Sequence, residues 1–305
     1  MSISKMVVRL VVPLVTLVLS GCFGNAGSGG ASELVHLEYP HDRVAPGLVN
    51  AAPAPVLYVA QYNGSRILLF DPRKHDKNPI GQITDGVQDP MGLATDNKGD
   101  LYVLNTIYPS VTMYPPGSKE PSFTISKGIS FAPYGLAVDS SGDVFVSEQE
   151  PDAIVGYRAG STSPFERITF KADPVAFGID REDDLIVING SEVVKIPHGT
   201  KEKIDLHLEG LTGPEAVSVR GDDALYVSDF DQNMVFVYPA GKTKPSYSFG
   251  AGMDGPIFST FGIGSRFFQV NQNNQIVEGF LKNQRKPFAK IYGEGRLTGV
   301  AAFPK

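Results

Sequence analysis

Carboxylate and amide side chains recur in this 305-residue chain, each at or near the end of a short apolar run. Runs of this kind are typical of β-strands. The group comprises Asn105, Glu148, Asn189, Asp229 and Asn271. Carboxylate and amide oxygens are the ligands that Ca²⁺ prefers, and the same groups form hydrogen bonds to proteins, peptides and glycans. The chemistry open to these residues is therefore metal coordination or the binding of a polar ligand.

A second group adds aromatic side chains and one more acid at neighbouring positions of the pattern: Tyr62, Tyr108, Tyr134 and Glu215. Neither group contains histidine, and the five histidines of the chain are spread over unrelated segments. This spread argues against a zinc site and against a Ser-His-Asp triad. The chain also has no P-loop, HExxH, GxSxG or CxxC motif.

An internal repeat positions both groups. Residues 90–105 read PMGLATDNKGDLYVLN, and residues 133–148 read PYGLAVDSSGDVFVSE. Weaker copies occupy 174–189, 214–229 and 256–271. The apolar triplets that mark the second strand of each copy begin 40 to 44 residues apart, which is the period of four-stranded propeller blades.

The two ends of the repeat predict the number of blades. The first unit begins at Pro55 without an inner strand, and residues 298–304 look like an inner strand with no second strand after it. Pairing of 299–303 with 56–60 would close the ring and remove exposed sheet edges. We therefore predict an all-β, six-bladed β-propeller of four-stranded blades over residues 55–305.

The repeat resembles the NHL-repeat family of propellers and, more distantly, the gluconolactonase-like group. The resemblance rests on PxGLAxDxxGDLYV units, best kept at 90–103 and 133–146, and covers about residues 55–304. The NHL resemblance implies a six-bladed propeller that serves as an interaction platform. The gluconolactonase-like resemblance implies a hydrolase, in which a divalent metal polarises a lactone carbonyl.

The best-kept letters of the repeat have a structural explanation. Gly92 and Gly135 allow inner strands to crowd together near the axis. Asp100 and Asp143, each beside a glycine, make the turn to the second strand. Function is therefore expected in residues that differ between blades. The repeat places these around one end of the central channel: Tyr62, Asn105, Tyr108, Tyr134, Glu148, Asn189, Glu215, Asp229 and Asn271.

Three interpretations of this channel mouth remain open. We favour a binding platform for a protein, peptide or glycan, without enzymatic activity and without a cofactor, because tyrosines suit interface anchors. In the alternative, a divalent-metal-dependent lactonase or esterase, Ca²⁺ or another divalent cation is held by Glu148, Asn189 and Asp229. A structural spacer of the cell envelope is the third.

The N-terminus predicts secretion and lipid attachment. Lys5 and Arg9 precede an apolar run at 10–19, which is too short to span a bilayer and is typical of a signal peptide. Leu19-Ser20-Gly21-Cys22 resembles the bacterial lipobox, which implies cleavage before Cys22 and a diacylglycerol on its thiol. We predict a signal peptide at 1–21. The lipidated cysteine and a flexible tether follow at 22–54, where Gly, Ala, Ser and Pro are frequent.

Charge and anchoring together predict the location of the protein. Cleavage removes two positive charges and changes the formal charge from -6 to -8, so nucleic acid is not an expected partner. Two or more acyl chains would hold the protein on a membrane. We predict a lipid-anchored, extracytoplasmic protein of the cell envelope. In a host with two membranes, Phe23 after the lipidated cysteine favours the outer membrane.

Overall fold

A computed structural model of the chain describes residues 54–74 and 78–305. The predicted signal peptide, Cys22 and nearly all of the predicted tether lie outside the described residues. The described chain is almost entirely β-structure, with two single-turn 3₁₀ helices at Tyr62–Gly64 and Ile263–Ser265. Within this part of the chain, no helix has the length and apolar character needed to span a membrane.

The strands form six four-stranded antiparallel sheets, which are the blades of a β-propeller. From the axis outwards, blade 1 contains β24 (Leu297–Phe303), β1 (Val56–Gln61), β2 (Arg66–Phe70) and β3 (Gly81–Ile83). Blade 2 contains β4 (Pro90–Thr95), β5 (Leu101–Asn105), β6 (Ser110–Tyr114) and β7 (Phe123–Ile125). Blade 3 contains β8 (Pro133–Val138), β9 (Val144–Gln149), β10 (Asp152–Tyr157) and β11 (Pro164–Thr169).

Blades 4 to 6 follow the same order along the chain. Blade 4 contains β12 (Pro174–Ile179), β13 (Leu185–Asn189), β14 (Glu192–Ile196) and β15 (Ile204–Asp205). Blade 5 contains β16 (Pro214–Val219), β17 (Leu225–Asp229), β18 (Met234–Tyr238) and β19 (Tyr247–Phe249). Blade 6 contains β20 (Pro256–Gly262), β21 (Arg266–Asn271), β22 (Ile276–Phe280) and β23 (Ala289–Tyr292).

The ring closes as predicted, because β24 pairs with β1 inside blade 1. Val56 lies opposite Phe303 and Val59 opposite Val300, so 299–303 pairs with the start of β1. Two hydroxyl groups also join the inner strands of blades 1 and 2. Thr298 Oγ1 donates to the Pro90 carbonyl at 2.7 Å. The equivalent bond from Thr95 Oγ1 reaches the Ala302 carbonyl at 2.8 Å.

Successive side chains of each second strand point to opposite faces of the blade, and both faces contribute to the core between blades. In β5, Leu101 and Val103 pack against blade 1, whereas Tyr102 and Leu104 pack against blade 3. Both faces of the strand are thus buried, which explains why these segments read as continuous apolar runs. The six apolar clusters of the described residues therefore hold the ring together and leave the loops to carry polar side chains.

The blades define two faces. The upper face carries the loops from second to third strands and from each fourth strand to the next inner strand. The lower face carries the turns from first to second and from third to fourth strands. The two kinds of turn lie together. The backbone N–H of His198 donates to Asp184 at 2.6 Å, and Arg220 donates to Asn283 of the next blade at 3.3 Å.

The lower-face turns correct one sequence expectation, namely that Asp100 and Asp143 make them. In blade 3 the side chain that organises the turn is Asp139, whose Oδ1 accepts backbone N–H bonds from Ser141 (2.9 Å) and Asp143 (2.8 Å). The Asp143 carboxylate instead binds Arg158 at 2.6 Å. The first acid of the motif therefore shapes the turn, since it is placed to accept from both later N–H groups. The same arrangement recurs at Asp96 and Asp180.

Candidate functional site

The second residue of each inner strand lies at the upper end of the central channel. These residues are Met91, Tyr134, Val175, Glu215, Ile257 and Thr298. Four of them are small or apolar and fit a packed channel wall. Tyr134 and Glu215 instead carry a phenol hydroxyl and a carboxyl group, and they lie two blades apart in the ring.

Tyr134 extends across the channel mouth and joins three blades. Its hydroxyl donates to Glu215 Oε1 at 2.7 Å, which connects blade 3 with blade 5 past Val175 of blade 4. Its ring also stacks on Phe258 of blade 6, the blade opposite, with ring centroids 5.1 Å apart. Contacts between opposite blades at this distance mean that the aromatic pair fills the mouth. The upper end of the channel is therefore closed by Tyr134 and Phe258.

Glu215 lies in an environment that disfavours the charged form of its carboxyl group. Burial raises the pKa of Glu215 to about 7, and the negative charges of Asp231 and Asp173 act in the same direction. The hydrogen bond from Tyr134 favours the charged form but does not offset the burial. The pKa of the Tyr134 hydroxyl is itself raised well above its ordinary value, by burial first and then by Glu215. Near neutral pH, Glu215 is thus divided between its charged and neutral forms.

A further acidic pair lies beside Glu215 on the upper face. Asp173, in the loop that enters blade 4, lies close to Asp152 of blade 3 and interacts with it electrostatically. The pKa of Asp173 is raised, by burial first and then by Asp152 and Glu150. These groups, together with Asp231, surround the channel mouth with negative charge on the side of blades 3 to 5.

Tyr62 and Arg296 lie on the opposite side of the mouth, at blade 1. The guanidinium of Arg296 is 4.9 Å from the centroid of the Tyr62 ring, and the Tyr62 backbone N–H donates to the Arg296 carbonyl at 2.8 Å. Tyr62 packs against the same apolar cluster as Tyr134 and Phe230. The positive charge of Arg296 is close enough to lower the pKa of Tyr134 slightly against the stronger effects of burial and Glu215.

The polar residues at the ends of the second strands have an environment different from that of Tyr134 and Glu215. Asn105 and Glu148 are almost completely buried and hold the loop that enters their own blade. Asn105 Oδ1 accepts from the backbone N–H of Gln88 at 2.8 Å. Glu148 accepts from the backbone N–H of Ser130 at 2.6 Å and from Arg167 at 2.8 Å. Their polar atoms are therefore already bound within the blade.

Asp229 plays the same part in blade 5. Its carboxylate is fully buried and accepts from the backbone N–H groups of Thr212 (2.6 Å), Gly213 (3.1 Å) and Gln232 (2.9 Å). At the equivalent position of blade 6, Asn271 is also fully buried, and neither polar atom of its side chain has a hydrogen-bond partner among the described residues.

The proposed cation ligands are Glu148, Asn189 and Asp229. Glu148 and Asp229 would have to release the bonds just described before binding a metal. Asn189 is half-buried, and its Oδ1 has no partner among the described residues. In the described part of the chain, no group of three or more His, Cys, Asp or Glu side chains has an arrangement suited to a metal ion. The cation site stays a prediction.

The remaining candidate, Tyr108, lies on the loop after β5 and is 70% exposed. Ile107 beside it and Phe131 on the next upper-face loop are also exposed. Of the nine predicted mouth residues, the structure joins Tyr134 to Glu215 and packs Tyr62 against the same apolar cluster as Tyr134. It directs the side chains of Asn105, Glu148 and Asp229 towards loops of their own blades. Asn271 is buried, Asn189 is half-buried and Tyr108 is exposed.

Sequence reasoning missed two residues of the mouth, Phe258 and Arg296. Phe258 occupies a position at which blades 2 and 3 have Gly92 and Gly135, so the break in the repeat was itself a visible sign. Arg296 lies in the loop before the last inner strand, where the degenerate end of the repeat gave no alignment to reveal it.

No family model matches the chain, and no curated protein is similar to it in sequence. Its structure is similar to a chain in the crystal structure of a nidogen/laminin complex, with a TM-score of 0.68 and 16% identity over 81% of this chain and 98% of that one. It is also similar to a protein of unknown function from Bacteroides caccae, with a TM-score of 0.63 and 10% identity over 83% of this chain and 100% of that one. At such identities the likeness concerns the fold alone, and the fold is that of a six-bladed β-propeller.

Proposed function

We propose that this protein is a lipid-anchored, extracytoplasmic binding protein whose channel mouth recognises a protein, peptide or glycan. One observation carries the proposal: Tyr134 crosses the mouth to Glu215 and Phe258. A closed mouth offers a partner a surface with aromatic faces and a carboxyl group at its centre. Interface hot spots have this character, with aromatic anchors surrounded by polar groups.

The charges around the mouth favour a partner that presents a cationic group. Glu215, Asp173 and Asp231 interact electrostatically, and each would be relieved of repulsion by a positive charge. The half-buried rings of Tyr134 and Phe230 supply apolar faces on which an ammonium or guanidinium group can pack. The propeller fold itself, which is commonly a platform for protein interactions, is compatible with such a partner.

Ligands selected from a peptide library and a glycan array test this proposal. We expect Glu215→Gln and Tyr134→Phe to weaken a selected ligand at least about tenfold, because the first removes the carboxylate charge and the second removes the hydroxyl group at the centre of the surface. Glu120→Gln is the matched control, since Glu120 is an exposed acid on a lower-face turn. Equal losses in control and mouth variants, or none in either, would reject the mouth as the binding surface.

The lipid anchor is part of the same proposal and has a separate test. It rests on the lipobox-like Leu19-Ser20-Gly21-Cys22 at the end of a short apolar segment. Labelled palmitate should enter the wild-type protein in bacterial cells and should be absent from Cys22→Ser. Label that persists in the variant would show that Cys22 is not the modified residue.

Two features of Glu215 support the alternative function, a lactonase or esterase. Burial raises its pKa to about 7, and its carboxyl group accepts a hydrogen bond from the Tyr134 hydroxyl. A carboxyl group with this pKa can exchange protons with a substrate at neutral pH. If the protein is such an enzyme, it should hydrolyse a member of a lactone panel with added Ca²⁺, and Glu215→Gln should abolish the activity. A panel that remains unhydrolysed with every divalent ion tried would remove this alternative.

A further inference from the structure

Basic side chains are concentrated on the lower-face turns between the third and fourth strands of blades 4, 5 and 6. The turns at 197–203, 239–246 and 281–288 together contain seven Lys or Arg residues and one Glu. We call this surface the basic arc. Its cations are Lys201, Lys203, Lys242, Lys244, Lys282, Arg285 and Lys286, and all seven are exposed. The three blades are consecutive in the ring, so the three turns lie on neighbouring blades.

Most of the positive charge of the arc is not neutralised by neighbouring acids. Lys244 is 3.8 Å from Glu209, but no carboxylate among the described residues lies within ion-pairing distance of Lys201, Lys242, Lys282 or Lys286. Arg285 lies over the Tyr247 ring, a contact that leaves its charge in place. The arc therefore presents an excess of cations to solvent, although the chain as a whole is acidic.

Six acids lie on the neighbouring first-to-second turns of blades 4 and 5, and five of them share three cations, Lys195, Arg181 and Arg220. On the first-to-second turns of blades 4 and 5, Asp180 and Asp184 bind Lys195 at 2.8 and 2.6 Å. Asp222 binds Arg220 at 2.7 Å, and Asp223 binds Arg181 at 2.5 Å. The excess of positive charge on this side of the lower face therefore belongs to the outer turns, which hold seven cations and one acid.

The chain enters the propeller on the same face. Val56, the first residue of β1, pairs with Phe303 at the lower end of blade 1. Blade 1 is the neighbour of blade 6, which carries Lys282, Arg285 and Lys286. The segment that would connect Cys22 to the propeller thus joins it beside the basic arc, whereas Tyr134 lies at the opposite end of the blades.

We infer that the basic arc docks on an anionic lipid surface, so that the lower face lies on the membrane and the channel mouth points away from it. The inference rests on the proposed lipid anchor for its orientation but not for the interaction itself. Clusters of four to eight Lys or Arg next to a membrane anchor bind anionic headgroups. A lipid surface is favoured over nucleic acid because the arc adjoins the entry of the tether, and because the rest of the protein is acidic.

Vesicle flotation of the chain from residue 22 with Cys22→Ser tests the arc without a lipid on the protein. We expect binding to vesicles of phosphatidylglycerol and phosphatidylcholine, none to phosphatidylcholine alone, and loss when NaCl rises from about 50 to about 300 mM. Each lysine contributes roughly fivefold in partitioning. Lys242→Glu with Lys282→Glu should therefore weaken binding at least tenfold. Lys127→Glu with Lys171→Glu, which makes the same charge change on exposed residues of two upper-face loops, should weaken it much less.

Three results would overturn the inference: no binding to anionic vesicles, equal losses in the two double variants, or tighter binding to duplex DNA than to vesicles. Glu215→Gln separates this inference from the proposed function. It should bind vesicles as the parent chain does, even if it fails to bind the selected peptide or glycan. Loss of vesicle binding in Glu215→Gln would also count against docking through the lower face.

Discussion

At the scale of single residues, Glu215 is a carboxyl group whose charged form is destabilised by folding. Its pKa is raised to about 7, so the folded protein retains a proton that the unfolded chain has already released above pH 4.5. The folded state therefore loses stability, by up to about 3 kcal/mol, as pH rises from 4.5 through 7.

Glu215→Gln should remove this dependence on pH. The amide keeps the shape of the carboxyl group and can accept from Tyr134, but it carries no charge to be buried. We expect the variant to be more stable than the wild type at pH 8.5 and close to it at pH 5. Urea unfolding at a series of pH values measures the difference. A constant difference between the two proteins over this range would contradict the raised pKa.

Asp229 shows how a residue chosen for chemistry on sequence grounds can belong to the scaffold. Its buried carboxylate accepts three backbone N–H bonds, so Asp229→Ala should destabilise the protein by about 3 kcal/mol. Asp231→Ala is the control on the same loop and should change stability by less than about 0.5 kcal/mol, because Asp231 is exposed. Denaturant unfolding of both variants gives the comparison, and similar losses would refute the assignment.

The sequence could not reveal this role because side-chain direction depends on local irregularities of the strands. A register shift lies between Pro214 and Ala216 in the pairing of β16 with β17, and comparable shifts occur in blades 2, 3, 4 and 6. With such a shift beside it, the direction of a side chain at the end of the second strand does not follow from simple alternation along the strand. The position of Asp229 at a strand end was predictable, whereas the direction of its carboxylate was not.

At the scale of elements, the inner strands approach each other so closely that some positions exclude a side chain. A Cβ atom added to Gly135 would lie 2.7 Å from the Val175 carbonyl oxygen and 2.8 Å from Ser147 Oγ. The expectation that glycine lets inner strands crowd together is thus explained by contact with the next blade. At Phe258 the repeat instead carries a large ring, which is directed over the channel.

Gly135→Ala should therefore separate blades 3 and 4 locally and cost about 2 to 3 kcal/mol. Gly221→Ala is the matched control, because an added Cβ there meets no atom within 4 Å and should change stability by less than about 0.5 kcal/mol. Thermal unfolding of the two variants distinguishes them. Equal melting temperatures would mean that the inner strands can move apart without cost.

The elements themselves were largely predictable, since apolar runs bounded by turn residues mark strands in every blade. The predicted pairing of 299–303 with 56–60 is confirmed, as is the number of four-stranded blades. The contacts of Tyr134 were not predictable. They join blades 3, 5 and 6, and they depend on the diameter of the ring and not on any local pattern.

At the scale of the whole molecule, closure by β24 is the feature on which the ring depends. Truncation after Arg296 removes the inner strand of blade 1 together with the bonds from Thr298 and Ala302 to blade 2. We expect this variant to lose cooperative thermal unfolding and to be digested rapidly by protease. Truncation after Phe303 retains β24 and is the control, and it should unfold as the intact chain does. A folded, protease-resistant first variant would show that closure is dispensable.

The position of β1 has a mechanical consequence. β1 is hydrogen-bonded to β24 on one side and to β2 on the other, so the first strand of the propeller is not an edge. A force applied through the residues before Val56 would act along the strand and load both ladders at once. Such shear must break many hydrogen bonds together, whereas a pull on an edge strand could peel them apart one by one. A protein held by this end could therefore bear tension from a bound partner without unravelling at the seam where its ring is closed.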